Sequence, residues 1–343
     1  MIKAEGLSKI YRVHVRQPGF RSALKSLFHR EYRDVKAVDD IHFTIPAGQI
    51  VGFLGPNGAG KTTTMKLLTG LLHPTAGVIE VGGYVPFKQQ TAFKKRISLV
   101  MGQKSQLVWD IPAAETFLIN KQIYEIGDAD YRIRINGFVE MLDLGAIIDK
   151  PVRQLSLGER MKCELVAALL HQPDIVFLDE PTIGLDVNMQ EALRRFIQDY
   201  NRETNASILL TSHYMQDVSA LCERVMVINH GTLIYDGDLS QLIDRYSPSK
   251  RLTLVLGSRV EREEIIRELS GASRIITYDY PRLEVETPRE EVTMLSAKLL
   301  TSLPVIDLTI EEPSLESVIS LTYAAGGKAR EQREAPVDSE ERP

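Results

Sequence analysis

The 343-residue sequence has few of the features that mark secreted, membrane-spanning or nucleic-acid-binding proteins. Its two cysteines, Cys163 and Cys222, fall in helical patterns, so buried thiols are expected rather than a disulfide framework or a zinc site. No stretch approaches the roughly 20 apolar residues that cross a bilayer, and the first residues lack the apolar core of a secretion signal. The net charge of -5 argues against a nucleic-acid partner. We therefore expect a chain that folds in water and stays inside the cell unless a partner anchors it.

Composition and pattern together predict two folded domains. Hydrophobic residues make up 43% of the chain and charged residues 25%, as in ordinary globular proteins. Alternation of apolar and polar residues predicts strands at about 2–15 and 37–45. Between them lies an insertion at about 16–34, in which apolar residues at helical spacing and surrounding arginines and lysines predict a short basic amphipathic helix over 20–33.

Three continuous apolar runs, at 48–54, 174–181 and 207–213, indicate parallel strands that are buried on both faces. The first run leads through a glycine-rich loop into a helical pattern over 62–72. Patterns of covering helices separate the other runs, so the first domain is predicted to be α/β.

The pattern changes after residue 239, where strands and helices alternate in a small α+β domain, predicted as a split βαβ arrangement. The strands are expected at about 251–257, 274–287 and 304–311, and the helices at about 260–270, 288–301 and 313–322. The predicted domains are thus 1–245 and 250–323, followed by a disordered tail at 324–343, which has almost no large apolar residues.

A phosphate-binding loop follows the first buried strand and matches the G-x-x-x-x-G-K-[ST] pattern. Its glycines let successive backbone N–H groups point at phosphate oxygens, and the N-terminus of the next helix adds partial positive charge. Lys61 is expected to reach the β- and γ-phosphates, and the Thr62 hydroxyl is expected to bind Mg²⁺. The predicted nucleotide-binding residues here are Gly55, Pro56, Asn57, Gly58, Ala59, Gly60, Lys61, Thr62 and Thr63.

This loop predicts binding of a nucleoside triphosphate but does not separate kinases, GTPases, helicases and transporters. A second element narrows the class, because the buried strand at 175–179 ends in Asp179, which can hold Mg²⁺. Glu180 follows directly, where a carboxylate can polarise the attacking water. A lone Asp-Glu pair is more often a solvated strand end, but the apolar run before it favours the functional reading.

The segment Leu155-Ser156-Leu157-Gly158-Glu159, about twenty residues before this strand, resembles the LSGGQ signature of the ABC transporter ATPases. In that family the signature opens a helix that faces the γ-phosphate of ATP held by the other subunit. The resemblance implies that Ser156 and the Gly158 amide act in trans. Leu157 replaces the first glycine and Glu159 replaces the glutamine, which places an extra negative charge near ATP. The same residues also read as a helix N-cap at Ser156.

Further motifs resemble that family in the same order. Gln103 matches the glutamine that senses Mg²⁺ and the attacking water, and Asp186 ends a segment like the D-loop. His213 matches the switch histidine that contacts the γ-phosphate, and Tyr11 matches the aromatic residue that stacks on adenine. The resemblance implies catalytic roles for Glu180, His213, Gln103 and Lys61, and an Mg²⁺ site at Thr62, Gln103 and Asp179.

The resemblance implies a P-loop NTPase fold with a RecA-like core, an antiparallel β lobe and a helical signature subdomain. It also implies an ATP-hydrolysing subunit that pairs with a second copy, a homodimer being favoured over a heterodimer, on the cytoplasmic face of the membrane. Phrases such as VRQLSLGERMK are similar to ABC-2-type exporters, so separate transmembrane subunits and export are expected. An importer ATPase, or an ATPase acting on nucleic acid, is the alternative.

Two surfaces are expected to meet the membrane partner, each with a structural alternative. The segment 107–111 is expected either to contact the transmembrane subunit or to pack in the core. The basic helix at 20–33 is expected either to contact anionic lipid headgroups or the transmembrane subunit, or to pack on the strand lobe.

Overall fold

The computed structural model describes residues 1–14, 32–102, 104–246, 249–269, 271–311, 318–319 and 322–323. The chain divides into two compact units, Met1–Leu239 and Ser240–Pro343. Gln103, the predicted tail at 324–343 and most of the predicted basic helix lie outside the described residues.

The first unit is built from two sheets and the helices that cover them. Its strands are β1 Ile2–His14, β2 Tyr32–Ile45, β3 Ile50–Leu54, β4 Ala76–Val81, β5 Ile97–Met101, β6 Ile175–Asp179, β7 Ser207–Thr211, β8 Arg224–Asn229 and β9 Thr232–Asp238. Its helices are α1 Lys61–Leu68, α2 Thr91–Lys94, α3 Ala113–Ile123, α4 Asp128–Leu142, α5 Leu157–Leu169, α6 Val187–Thr204 and α7 Met215–Leu221, and α8 Leu239–Tyr246 begins at its boundary.

The larger sheet has the strand order β5-β6-β7-β3-β8-β9 and is parallel except for β9. Strands β3, β6 and β7 are almost wholly buried, as their continuous apolar sequences predict. Because parallel neighbours end at the same edge, the segments that follow β5, β6, β7 and β3 meet there, which is where α/β sheets bind ligands.

The smaller sheet is antiparallel, in the order β2-β1-β4, and forms the expected β lobe. Its inward side chains share one hydrophobic core with the larger sheet, including Ile2, Phe43 and Ile79 from the lobe and Phe53 and Phe177 from the parallel strands. Tyr11 of β1 pairs with Val35 of β2 in this sheet.

Two boundaries differ from the sequence-based expectation. The basic helix predicted over 20–33 is wrong at its end, because Tyr32 and Arg33 belong to β2 and pair with the end of β1. The helix predicted over 62–72 ends at Leu68, because Gly70 adopts a left-handed backbone with φ +74° and its N–H bonds the carbonyl of Leu67.

Helices α3, α4 and α5 form the helical part of the unit. Polar side chains of α3 and α4 bind carbonyls at the end of α5: Asn120 Nδ2 donates to the Ala167 oxygen at 3.0 Å, and Arg134 Nη1 to the Leu170 oxygen at 2.9 Å. Cys163 of α5 and Cys222 are free and buried, as expected. Burial raises the pKa of the Cys163 thiol to about 12 and also raises the pKa of Cys222.

The described part of the second unit contains β10 Ser249–Leu256, α9 Arg262–Glu268, β11 Arg274–Asp279, β12 Arg282–Pro288, α10 Val292–Ser302 and β13 Val305–Glu311. The strands form an antiparallel sheet in the order β11-β12-β10-β13, with α9 and α10 against its apolar face. The sequence prediction merged β11 and β12 into one strand over 274–287, and this is wrong because the chain turns at Tyr280–Pro281. The segment β10-α9-β11 leaves room for β12 between its strands, so the split βαβ expectation is confirmed.

Where residues are described, none of the helices combines the length and the apolar character needed to cross a bilayer.

Candidate active site

The phosphate loop joins β3 to α1 and is held so closely that two of its glycines have no room for a side chain. A Cβ on Gly55 would lie 2.4 Å from the carbonyl oxygen of Ile228. A Cβ on Gly60 would lie 2.4 Å from the carbonyl oxygen of Ala37, and Gly60 also has φ +112°. Asn57 and Gly58 at the tip are exposed, whereas Gly55, Ala59 and Gly60 are buried and Pro56 and Thr63 are half-buried. The loop therefore presents its tip to solvent on a rigid base.

The Lys61 side chain is buried under this loop, with only 6% of the residue exposed. Its Nζ donates to the carbonyl oxygens of Gly55 at 2.6 Å and Pro56 at 3.1 Å. Burial lowers the pKa of Lys61, and the nearby charges of Glu180 and Asp179 oppose that shift. Lys61 is therefore a preorganised cation directly beneath the loop that would receive phosphate.

Asp179 at the end of β6 accepts hydrogen bonds from hydroxyls on two neighbouring elements. Thr62 Oγ1 donates to one carboxylate oxygen at 3.0 Å, and Thr211 Oγ1, at the end of β7, donates to the other at 2.7 Å. Neighbouring ligands in an octahedral Mg²⁺ shell, with bonds of about 2.0–2.1 Å, lie about 3 Å apart. The spacing and the oxygen chemistry of Thr62 and Asp179 thus fit a magnesium ion.

Glu180 and His213 face each other beside this pair. Glu180 Oε1 lies 2.8 Å from His213 Nε2, and the two side chains are 20% and 40% exposed. The Glu180 backbone has φ +55°, a conformation that is uncommon for residues other than glycine and often found at functional sites. Its N–H donates to Thr211, at 3.1 Å to both the carbonyl oxygen and Oγ1. A carboxylate fixed in this way can accept a proton from water.

The residues on either side of Gln103 are fixed to this site and to helix α5. The Gly102 N–H donates to the carbonyl of Asp179 at 2.9 Å. On the other side, the buried carboxylate of Glu164 accepts bonds from the Gln106 N–H, at 2.9 and 3.1 Å, and from the Ser105 hydroxyl. This link joins the segment after Gln103 to the helix that begins with the signature.

Ser156 and Glu159 form a capping box at the start of α5, which agrees with the N-cap reading of this segment. The Ser156 Oγ accepts from the Glu159 N–H at 3.2 Å, and Glu159 Oε2 accepts from the Ser156 N–H at 2.8 Å. Gly158 lies against Met189, since a Cβ there would be 2.9 Å from two Met189 atoms. Asp186 similarly caps α6 by accepting from the Met189 N–H at 3.0 Å.

The capping box makes a testable stability prediction. Glu159→Ala is expected to destabilise the first unit by about 1 kcal/mol at pH 7, the typical loss for a helix cap. The pKa of Glu159 is lowered, chiefly by the Ser156 N–H. A lowered folded-state pKa means that this stabilisation is present above the unfolded-state pKa and disappears as pH falls through the folded-state value.

Thermal unfolding of wild type, Glu159→Ala and Glu159→Gln at pH 7 and pH 3 would check this. Glutamine can still accept the Ser156 bond, so it is expected to lose only a few tenths of a kcal/mol at pH 7. A difference between wild type and alanine that is equally large at both pH values would show that the ionised carboxylate does not cap the helix.

The structure brings together Lys61, Thr62, Asp179, Glu180 and His213 at the carboxyl edge of the sheet. The polar bonds given above for Ser156, Glu159 and Asp186 lie instead within their own helix ends. Tyr11 is 36% exposed in β1, with the Lys9 ammonium 5.4 Å from its ring centroid. In the segment 107–111, Leu107 is buried in the core, which is one of the two expectations for this segment. Val108 and Trp109 are about half exposed.

Sequence reasoning missed several residues that hold this site together. Thr211 bonds both acidic residues, and the register of β6 with β7, which places it opposite Asp179, is a signal that could have identified it. Asp217 accepts bonds from Thr182 and Ser212, which follow Glu180 and precede His213 in the chain. Nothing in the sequence pattern indicated that Asp217 is completely buried.

Comparisons with known proteins match both units. Residues 38–183 match the sequence model of the family described as ABC transporter, and residues 248–311 match that described as EvrA-like ABC transporter, C-terminal domain. The chain is 36% identical over 235 residues to the ABC transporter ATP-binding protein NatA of Bacillus subtilis (strain 168), covering 68% of this chain and 95% of that protein.

Two longer matches extend through both units. The linearmycin resistance ATP-binding protein LnrL of Bacillus subtilis (strain 168) is 28% identical over 292 residues, which cover 84% of this chain and 93% of that protein. The daunorubicin/doxorubicin resistance ATP-binding protein DrrA of Streptomyces peucetius is 30% identical over 292 residues, which cover 84% of this chain and 88% of that protein.

Solved structures agree on the fold. An ATP-binding subunit of an ABC transporter superposes with a TM-score of 0.60 at 22% identity, covering 71% of this chain and 92% of that one. An ATP-binding cassette whose dimeric structure holds ADP and phosphate superposes with a TM-score of 0.57 at 21% identity, covering 70% and 99%. The expected fold class is therefore confirmed.

Proposed function

The chain belongs to the ATP-binding and ATP-hydrolysing subunits of ABC transporters, and we propose that it drives substrate export through separate transmembrane subunits of the ABC-2 type. The observation that carries the proposal is the cluster of Lys61, Thr62, Asp179, Glu180 and His213 at one edge of the sheet. The export direction is supported by relatives that are named for drug resistance and for Nod factor export.

Each residue of the cluster has a distinct role in ATP hydrolysis. The loop at 55–62 and the N-terminus of α1 bind the phosphates, with Lys61 as the point charge and Tyr11 as the surface on which adenine stacks. Thr62 and Asp179, together with Gln103, hold Mg²⁺, which when bound neutralises charge on the phosphates. Glu180 accepts the proton of the attacking water, and His213 holds the Glu180 carboxylate in place.

The complete site requires a second subunit, and we favour a homodimer because one chain carries the full residue set. Ser156 and the Gly158 amide, at the positive end of α5, contact the γ-phosphate held by the partner, and Glu159 and Asp186 lie at the same interface. Glu159 adds a negative charge there, which slows closure of the dimer. A dimer with bound hydrolysis products is known for a protein of the same fold.

The two domains divide the work between catalysis and assembly. Residues 1–245 form the ATPase, peripheral on the cytoplasmic face of the membrane, and the domain at 250–323 adds contacts between subunits. The exposed pair Val108 and Trp109 contacts the transmembrane subunit, and the insertion at about 16–34 contacts anionic lipid headgroups or that subunit. The Arg160 guanidinium lies 5.8 Å from the Trp109 ring centroid, which fixes the indole on the surface of α5.

Affinity purification of the full tagged chain from detergent-solubilised membranes tests the transport role. We expect a multi-spanning membrane protein to co-purify, and Trp109→Asp to reduce its recovery about tenfold or more, as for a lost aromatic anchor. Val78→Asp, on the exposed face of β4, is the matched control and should recover it normally.

Recovery of nucleic acid without a membrane protein would contradict the transport role.

Drug uptake by inside-out vesicles that contain this chain and its membrane partner tests the direction of transport. ATP-dependent accumulation of a drug for which a relative is named, such as daunorubicin, supports export, and release of preloaded drug supports the importer alternative.

A further inference from the structure

We infer that Asp217 is a positioning residue for hydrolysis, which holds Glu180 and His213 in register through one buried carboxylate. The inference rests on the proposed roles of those two residues and adds a third that touches neither ATP nor water. Asp217 lies in the first turn of α7 and is completely buried.

Both carboxylate oxygens of Asp217 are engaged. Oδ2 accepts from Thr182 Oγ1 at 2.5 Å and from Ser212 Oγ at 2.7 Å, and Oδ1 accepts from Arg194 Nη1 of α6 at 2.8 Å. The Arg194 side chain is only 12% exposed, so the negative charge is neutralised inside the protein. A buried carboxylate with both oxygens engaged is held firmly, because losing any of these partners leaves a buried polar group unsatisfied.

The two hydroxyls belong to the two segments that carry the catalytic pair. Thr182 lies in the turn that begins at Glu180, in which the Ile183 N–H donates to the Glu180 carbonyl oxygen at 3.3 Å and Glu180 has its left-handed backbone conformation. Ser212 immediately precedes His213. One carboxylate oxygen therefore receives one bond from each side of the Glu180–His213 pair, whose atoms lie 2.8 Å apart.

Loss of such positioning is expected to lower the rate of ATP hydrolysis more than it weakens the binding of ATP. The phosphate loop has its own supports, the packing of Gly55 on Ile228 and of Gly60 on Ala37. Loosening the Thr182 and Ser212 bonds is thus expected to misplace the base and the histidine while leaving the phosphate site intact. An outer residue that orients a catalytic group typically contributes about 10- to 100-fold to activity.

The test replaces the two hydroxyls and keeps the ion pair. Thr182→Val with Ser212→Ala removes both connections but leaves Asp217 bonded to Arg194, which preserves the buried charge pair. We expect kcat to fall about tenfold or more, with KM for ATP within about twofold. The matched control, Thr69→Val with Ser207→Ala, removes two equally buried hydroxyls outside the network and should keep kcat.

Combining the change with Glu180→Gln separates positioning from general damage. The hydroxyl variant is the double substitution Thr182→Val with Ser212→Ala. If Asp217 acts through Glu180, this double substitution lowers the residual hydrolysis rate of Glu180→Gln much less than it lowers the wild-type rate. Unchanged kcat in the hydroxyl variant, or equal losses in the control variant, would overturn the role of Asp217. A Glu180→Gln protein with the wild-type rate would instead overturn the proposed base, so the two failures are distinguishable.

Discussion

Replacing Glu180 with glutamine is expected to lower the rate of ATP hydrolysis by about 100- to 10,000-fold, the usual contribution of a general base. Glutamine has nearly the same shape and can still meet His213, but it cannot accept a proton from water. Lys61, Thr62 and the phosphate loop are unchanged, so ATP affinity should stay within about twofold. ATP should then accumulate on a closed dimer of the variant, because the step that opens it is blocked.

Phosphate release at saturating ATP and equilibrium binding of a fluorescent ATP analogue measure the two quantities separately. Glu203→Gln, at an exposed position near the end of α6, is the control for loss of one carboxylate and should behave as wild type. Hydrolysis of Glu180→Gln at the wild-type rate would exclude Glu180 as the base and leave the left-handed backbone at this position without a catalytic explanation.

Arginine in place of Ser156 should reduce hydrolysis by at least about 100-fold while ATP still binds to the loop of the same chain. The long side chain would occupy the space in front of α5 that the partner's γ-phosphate requires, so the dimer could not close. Preorganised donors aimed at developing charge commonly contribute about this much to a rate.

Two controls test whether the loss comes from an arginine at this position. Ser156→Thr retains a capping hydroxyl and should keep most of the activity. Ser219→Arg introduces the same side chain at an exposed position on α7 and should leave hydrolysis unchanged. Normal turnover by Ser156→Arg would show that this serine does not face nucleotide in the partner subunit.

The parts of the site that the sequence could predict are those with local signals. The phosphate loop follows from glycine spacing, and Asp179 and Glu180 follow from an apolar run that ends in acids. Parallel strands then bring these segments together at one sheet edge, as the structure confirms. The fold class could also be predicted from local signals, because strand, loop and helix patterns follow one another in the sequence.

What could not be predicted depends on distant contacts or on competing patterns. Asp217 meets Thr182 across 35 residues, and no periodicity marks such a bond. Tyr32 and Arg33 fitted a helical pattern, but pairing with β1 in the sheet overrides local propensity. The strand predicted over 274–287 is a hairpin, because the sequence on both sides of Pro281 has strand character and only the proline signals the turn.

The proposed function depends most on an ATP site that the neighbouring subunit completes. Its most direct test is the hydrolysis rate per protomer over a dilution series of the full chain, with sedimentation under the same conditions giving the fraction of dimer. We predict that the rate follows that fraction and falls to background when the protein is monomeric. A full rate from protein that sediments entirely as single protomers would contradict the shared site and, with it, the proposed coupling of closure to transport.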